Sequence, residues 1–334
     1  THLCDKSLLV VDPGAEAARY RLLVPLREFG SERLVEAGES EAAWGRHLEH
    51  LVALAERAEI ELSSGDAGPW RARLDRVAAD AAAVLHWACR AGQYEAGLRL
   101  GGAVWRYWYE SGRLAEGRDL LRNLLDGAPD DIAPALRAKA LHACGTLASY
   151  LGEYRTAQSL LERCAAVRRE LGDSTGVAHT LNNLGIVFSE MGDFETGRAL
   201  YSRSLELKRS AGDRVGSART LGNLSICLFV LGDLAGAVAA AEHFRAAQAP
   251  TRTLRHAARQ SSRALIADVQ ELHADVDDAV EGHVRLCEGG RERERKRNGQ
   301  QAFTHGVSLL ALLVFNAGLP REWCENSSDI PASA

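Results

Sequence analysis

The sequence carries no strong excess of either charge: 45 acidic against 40 basic residues leave a net charge of −5 over 334 residues. It therefore lacks the overall electrostatic footprint of a nucleic-acid or anionic-membrane binder, and any partner surface has to be local. Lysine is scarce. Lys6, Lys139, Lys208 and Lys296 are the only four, and arginine supplies nearly all the positive charge, which reads as coding bias before function. Paired cysteines are missing too. The seven (Cys4, Cys89, Cys144, Cys164, Cys227, Cys287, Cys324) are odd in number, widely spaced and contain no C-x-x-C, a pattern that fits free thiols in a reducing cytosol.

No apolar run reaches the roughly 18 residues that cross a bilayer; the longest, Val307 to Phe315, reads as a buried helix. No signal peptide opens the chain and its first residue is Thr1, so a cytoplasmic fragment of a longer protein is expected. The motifs of catalysis are also absent. There is no G-x-S-x-G, H-E-x-x-H, G-x-G-x-x-G or phosphate-cradling G-x-x-x-x-G-K-[ST], and the carboxylates are scattered. The expectation is no enzyme, no cofactor and no metal site.

What the sequence does have is a repeat. Gly145, Gly185 and Ser225 are 40 apart, as are Gly152, Gly192 and Gly232, and Tyr154, Phe194 and Leu234. Ala157, Gly197 and Ala237 follow, then Leu161, Tyr201 and Ala241, and the same spacing carried backwards meets Gly112, Leu114, Gly117 and Leu121. Each unit reads as an apolar-periodic helix, a glycine turn and a second such helix. In the clearest copy Leu181, Leu184, Ile186 and Phe188 lie on the first helix, Gly192 ends it in the left-handed conformation, and Asp193 caps the next. Such a pair cannot bury its apolar face alone, so neighbours must stack.

Leu181-Asn182-Asn183-Leu184-Gly185, followed by Gly192-Asp193-Phe194, Gly197 and Tyr201, resembles the tetratricopeptide repeat in a longer variant of about 40 residues in place of about 34. The resemblance is strongest over residues 135 to 248, extends to 92, and weakens beyond. Trp105 and Ser225 depart from the usual small residue and glycine, and the proline that often closes a unit is absent. It implies an all-α, right-handed helical solenoid. Residues 37–91 read as a helical linker, 92–248 as the repeats, 249–324 as degenerate units and 325–334 as a tail.

The first 36 residues differ. Ser7 to Val11 and Arg19 to Val24 are short β-type runs joined by Asp12-Pro13-Gly14, followed by a helix through Arg27 to Leu34. Lys6-Ser7-Leu8-Leu9, Arg19-Tyr20-Arg21-Leu22-Leu23, Leu26-Arg27-Glu28-Phe29 and Glu32-Arg33-Leu34 are similar to the segment that closes the winged-helix domain of bacterial STAND-type signal-transduction ATPases and LuxR-like transcriptional regulators. That resemblance implies a winged-helix remnant, preceded in the parent by a P-loop domain and followed by a helical-repeat sensor.

Three clusters have residues that could carry chemistry. His47 and His50 flank Glu49, but two ligands without a third make a structural reading stronger than a metal one. Arg291 to Arg297 is the one dense basic run, and its interleaved glutamates mark a solvated helix face. Trp105 and Trp108 at i, i+3 fit a core, with Tyr107 expected at the surface.

In a tetratricopeptide array the first helix of each pair lines the inner groove. By phase that puts Lys139, His142, Thr146 and Ser149 in one unit, His179, Asn182, Asn183, Ile186 and Ser189 in the next, and Arg219, Asn223, Ile226 and Phe229 in the third. The resemblance implies that Asn183 and Asn223, 40 apart, hydrogen-bond the backbone of an extended peptide; the alternative is that they cap or brace a neighbouring turn. The partner set is Lys139, His142, His179, Asn182, Asn183, Arg219 and Asn223, whose cations would favour an acidic segment or terminal carboxylate. The function implied is a protein- or peptide-binding sensor region that reports to an upstream ATPase domain, with DNA binding through the winged helix as the alternative.

Overall fold

Helix ends set the architecture. Positive-φ glycines recur at Gly92, Gly112, Gly152, Gly172, Gly192, Gly212 and Gly232, so the 40-residue unit is a double 20-residue step of one helix and one tight turn. The computed structural model describes residues 6, 8–13, 18–64 and 67–248. Its helices are α1 (Val24–Glu36), α2 (Ser40–Ser64), α3 (Ala67–Arg90), α4 (Tyr94–Glu110), α5 (Leu114–Gly127), α6 (Pro134–Tyr150), α7 (Tyr154–Glu170), α8 (Ser174–Glu190), α9 (Phe194–Ser210), α10 (Arg214–Val230) and α11 (Leu234–Gln248). From α6 to α10 each helix is 17 residues long.

The turn after α7 shows how four residues stop one helix and start the next. Gly172, at φ +67°, lets its own N–H reach Arg169 O and the Asp173 N–H reach Arg168 O, at 3.0 and 2.9 Å, the reciprocal pair of a Schellman cap. The Asp173 carboxylate then accepts the Gly176 N–H at 2.8 Å, satisfying an amide that the new helix leaves free. Asp193, Asp213 and Asp233 repeat the bond to Thr196, Gly216 and Gly236. Glu153, one methylene longer, makes no side-chain cap, and neither does Gln93. Between α5 and α6 the grid breaks: Ala128 to Ala133 replace the glycine turn, and buried Ile132 anchors the loop.

Two compact units divide at Leu147 and Ala148, inside α6. In the first, α2 packs on α3 and α4, and α4 on α5. Its core holds Leu48, Leu51, Val52, Leu85, Leu98, Leu120, Leu121, Leu124 and Leu141. An ion pair from Arg99 to Glu56 at 2.9 Å ties α4 to α2. In the second, α8 packs on α7 and α9, and α10 on α9 and α11. Ala148, Ala157, Leu161, Val177, Leu181, Leu184 and Val187 form one cluster, and Tyr201, Leu205, Leu221, Leu224, Cys227 and Leu228 the next.

Two expectations are corrected. Tyr107 is buried, with Asp75 of α3 and Arg113 of the α4–α5 turn acting on its hydroxyl. Trp108 is core, while Trp105 is half-exposed and meets His142 edge-on at 6.3 Å. At the N-terminus, β1 (Leu9–Pro13) pairs antiparallel with β2 (Ala18–Leu22), Leu9 opposite Leu22 and Pro13 opposite Ala18. Asp12 and Pro13 therefore lie in the ladder and not in its turn, Pro13 being tolerated at the end of a two-stranded edge. Val24 starts α1 with Pro25 in its first turn. No α1 residue is buried, and two strands with one helix do not define a winged helix. The segments 249–324 and 325–334, and the run Arg291 to Arg297, lie outside the described residues.

Candidate functional site

Of the expected partner residues, Lys139 and His142 belong to the first unit and His179, Asn182, Asn183, Arg219 and Asn223 to the second. Lys139 is not a free cation: its Nζ lies 2.6 Å from Glu59 Oε2, and its stem covers Gly102. His142 is half-buried against Trp105. Thr146, also expected on the open face, is buried and donates to His142 O at 2.7 Å.

In the second unit the residues do converge, but not all on the surface. Asn182 is 3% exposed, so its expected groove role is corrected: its amide is used internally. Asn182 Oδ1 accepts from Thr220 Oγ1 at 3.0 Å and from Asn223 Nδ2 at 3.2 Å. Its Nδ2 lies 3.4 Å from Asn183 Oδ1. Asn183 and Asn223 are half-buried on α8 and α10, beside each other through this shared amide. The bracing that stood as an alternative is thus present, and it holds both asparagines at the surface of the helix pair.

The electrostatics centre on one carboxylate, Asp213, among several cations. His179 Nε2 stands 3.9 Å from Asp213 Oδ2. Burial, with Lys208 adding, nevertheless pushes His179 below the usual histidine range, so it is neutral at pH 7. Arg219 is exposed on α10 and carries positive charge at this surface. Beneath it, Lys208 is buried on α9, and desolvation pulls its ammonium from 10.5 down to about 8.

Sequence reasoning missed the interior pair Lys208 and Thr220; the Gly212-Asp213 turn beside them is part of the Gly-Asp capping signal the repeat displays. The signal was there in the repeat, since Arg168 and Lys208, Thr180 and Thr220, and Asp173 and Asp213 are each 40 apart. Arg168 donates to Gly176 O at 2.7 Å and to Thr180 Oγ1 at 2.9 Å. Among the described residues no group of three or more His, Cys, Asp or Glu is placed to hold a metal, and no helix is long and apolar enough to cross a membrane. His47 packs near Trp44, and His50 is exposed.

The described helices pack as successive neighbouring pairs, and residues 176–248, from α8 to α11, match the tetratricopeptide-repeat family. Proteins named HTH-type transcriptional regulator in Mycobacterium tuberculosis and Mycobacterium bovis are 26% identical over 188 residues, covering 54% of this chain and 21% of theirs. The chain spans about a fifth of the length of these curated relatives. Among solved structures, the TPR-like repeats of a Podosopora anserina kinesin light chain share 16% identity at a TM-score of 0.48, over 62% of this chain and 98% of that one. Pseudomonas aeruginosa pilF shares 14% identity at a TM-score of 0.45, over 77% and 99%.

Proposed function

We propose that the chain is a non-enzymatic, cytoplasmic scaffold that binds a protein or peptide along α8 and α10, as the sensor region of a bacterial signal-transduction transcriptional regulator. The observation that carries this reading is the presentation of Asn183 and Asn223 on successive first helices, both held by the buried Asn182. An amide can donate to a carbonyl and accept from an N–H, which is what an extended backbone offers. Arg219 adds a cation beside them, favouring an acidic segment or terminal carboxylate. With Lys139 paired and His179 neutral, that preference rests on Arg219.

The regulatory role is supported by the named relatives and by the similarity of residues 6 to 34 to the end of a winged helix, which also suggests a P-loop ATPase domain in the parent. The right-handed solenoid likewise rests on the family resemblance. A pull-down comparing the wild type with an Asn183→Ala, Asn223→Ala double variant tests the groove. Loss of specific partners with unchanged helical content is expected, and unchanged recovery would reject the assignment. The names of the relatives favour a second reading, duplex DNA binding through the N-terminal segment. It requires salt-sensitive binding by this chain, and no binding at low salt eliminates it.

A further inference from the structure

Lys208 keeps an ammonium group inside the second unit, the residue being 2% exposed. It donates to Thr220 Oγ1 at 2.8 Å. An ammonium has no acceptor lone pair. Thr220 therefore accepts from Lys208, and its one hydroxyl proton passes to Asn182 Oδ1 at 3.0 Å. That turns the carbonyl arm of Asn182 toward α10, where it also takes Asn223 Nδ2 at 3.2 Å. The NH2 arm of Asn223 is thus directed inward, and the opposite arm of the same amide carries Oδ1.

We propose that Lys208 is a positioning residue that sets which arm of the Asn223 amide is presented to the groove, and so whether Asn223 takes an N–H or a C=O from a bound backbone. The proposal rests on the groove reading of Asn223. While Lys208 is an ammonium, Oδ1 of Asn223 is offered and accepts a peptide N–H. When the ammonium gives its proton to solvent, the neutral amine keeps two N–H donors and gains one buried lone pair that needs a donor. Thr220 then donates to it and accepts from Asn182 Nδ2, and Asn223 turns its Oδ1 inward to take the second Asn182 N–H. Asn183, whose Oδ1 faces Asn182 Nδ2 in the ammonium state, turns its NH2 arm toward the Asn182 carbonyl. Asn223 now offers NH2 outward, a donor for a peptide carbonyl.

The charged surroundings place this change in an accessible range. Asp213, at the start of α10, supports the ammonium, while Arg219 of α10 and the burial itself oppose it, so that it titrates near 8. From α8, His179 faces the same cluster and loses its own charge at lower pH, with Arg168 of α7 acting on it. The preceding repeat supplies a natural control. There Arg168 takes the place of Lys208, and Thr180 returns its proton to Gly176 O at 2.9 Å. A guanidinium does not deprotonate in this range, so the polarity of that repeat is permanent.

The test needs no ligand. Asparagine side-chain NH2 signals of the full chain, labelled with nitrogen-15, are followed by NMR from about pH 6 to about pH 10. The wild type is expected to show Asn182 and Asn223 moving together with a midpoint near 8. Lys208→Arg should hold both at their low-pH positions throughout, Lys208→Met should be flat, and His179→Gln should keep the transition. Flat signals in the wild type, or a transition that survives in Lys208→Arg or Lys208→Met, overturn the proposal. Should the arginine variant fail to fold, the methionine variant decides. Partner loss in the pull-down bears on the groove alone, so the two readings fail separately.

Discussion

The ring of Tyr201 on α9 occupies the space a side chain at Gly185 on α8 would need: a Cβ there would stand 2.6 Å from Tyr201 Cε1. Tyr201 is 3% exposed and packed in the core with Leu205, Leu221 and Leu224, so the ring has nowhere to go. Alanine would gain up to about 1 kcal/mol of helix propensity, but overpacking of this kind costs about 1–3 kcal/mol. Gly185→Ala should lower stability by about 1–2 kcal/mol in urea unfolding, and a stabilised variant would contradict this packing.

Gly222 on α10 is the opposite case. A Cβ there would meet Phe244 at 3.6 Å, an ordinary contact, and the position lies inside the helix. Gly222→Ala should therefore raise stability by up to about 1 kcal/mol. Thermal unfolding of the two alanine variants side by side checks that the signs differ.

The cap bonds make a third pair. Asp173→Ala removes the carboxylate that holds the Gly176 N–H and should cost about 1 kcal/mol. Gln93 occupies the same place before α4 without a side-chain cap. Gln93→Asp should stabilise by several tenths of a kcal/mol, read as a shift in the urea midpoint, with no change expected in helical content.

Lys208 makes stability depend on pH in the alkaline direction. Its folded-state value near 8 lies below its ordinary 10.5, so between these the unfolded chain binds more protons. Stability then rises with pH through that window, and the penalty of burying the charge is fully present below about 8. Lys208→Met should be more stable than the wild type at pH 7 by about 1–2 kcal/mol, with the advantage shrinking toward pH 10. Chemical unfolding at the two pH values measures it, and a loss at pH 7 would show that the bond to Thr220 outweighs desolvation.

Local sequence alone specifies the helix-and-turn grid. Glycine and aspartate at the turns act locally: Gly172 ends α7 and Asp173 begins α8 through bonds spanning three to five residues, so their spacing is legible without a fold. It also placed Asn183 and Asn223 one repeat apart. What it could not reveal was which polar residues turn inward. Asn182 and Asn183 are neighbours, yet one is buried and the other half-exposed, and the difference depends on Thr220, 38 residues away. Lys139 read as a groove cation until Glu59, 80 residues distant, was found beside it. Lys208 stood out in the sequence only as one of four lysines. Hydrogen-bond partners across helices, and the burial that shifts Lys208, exist only once the helices pack against one another.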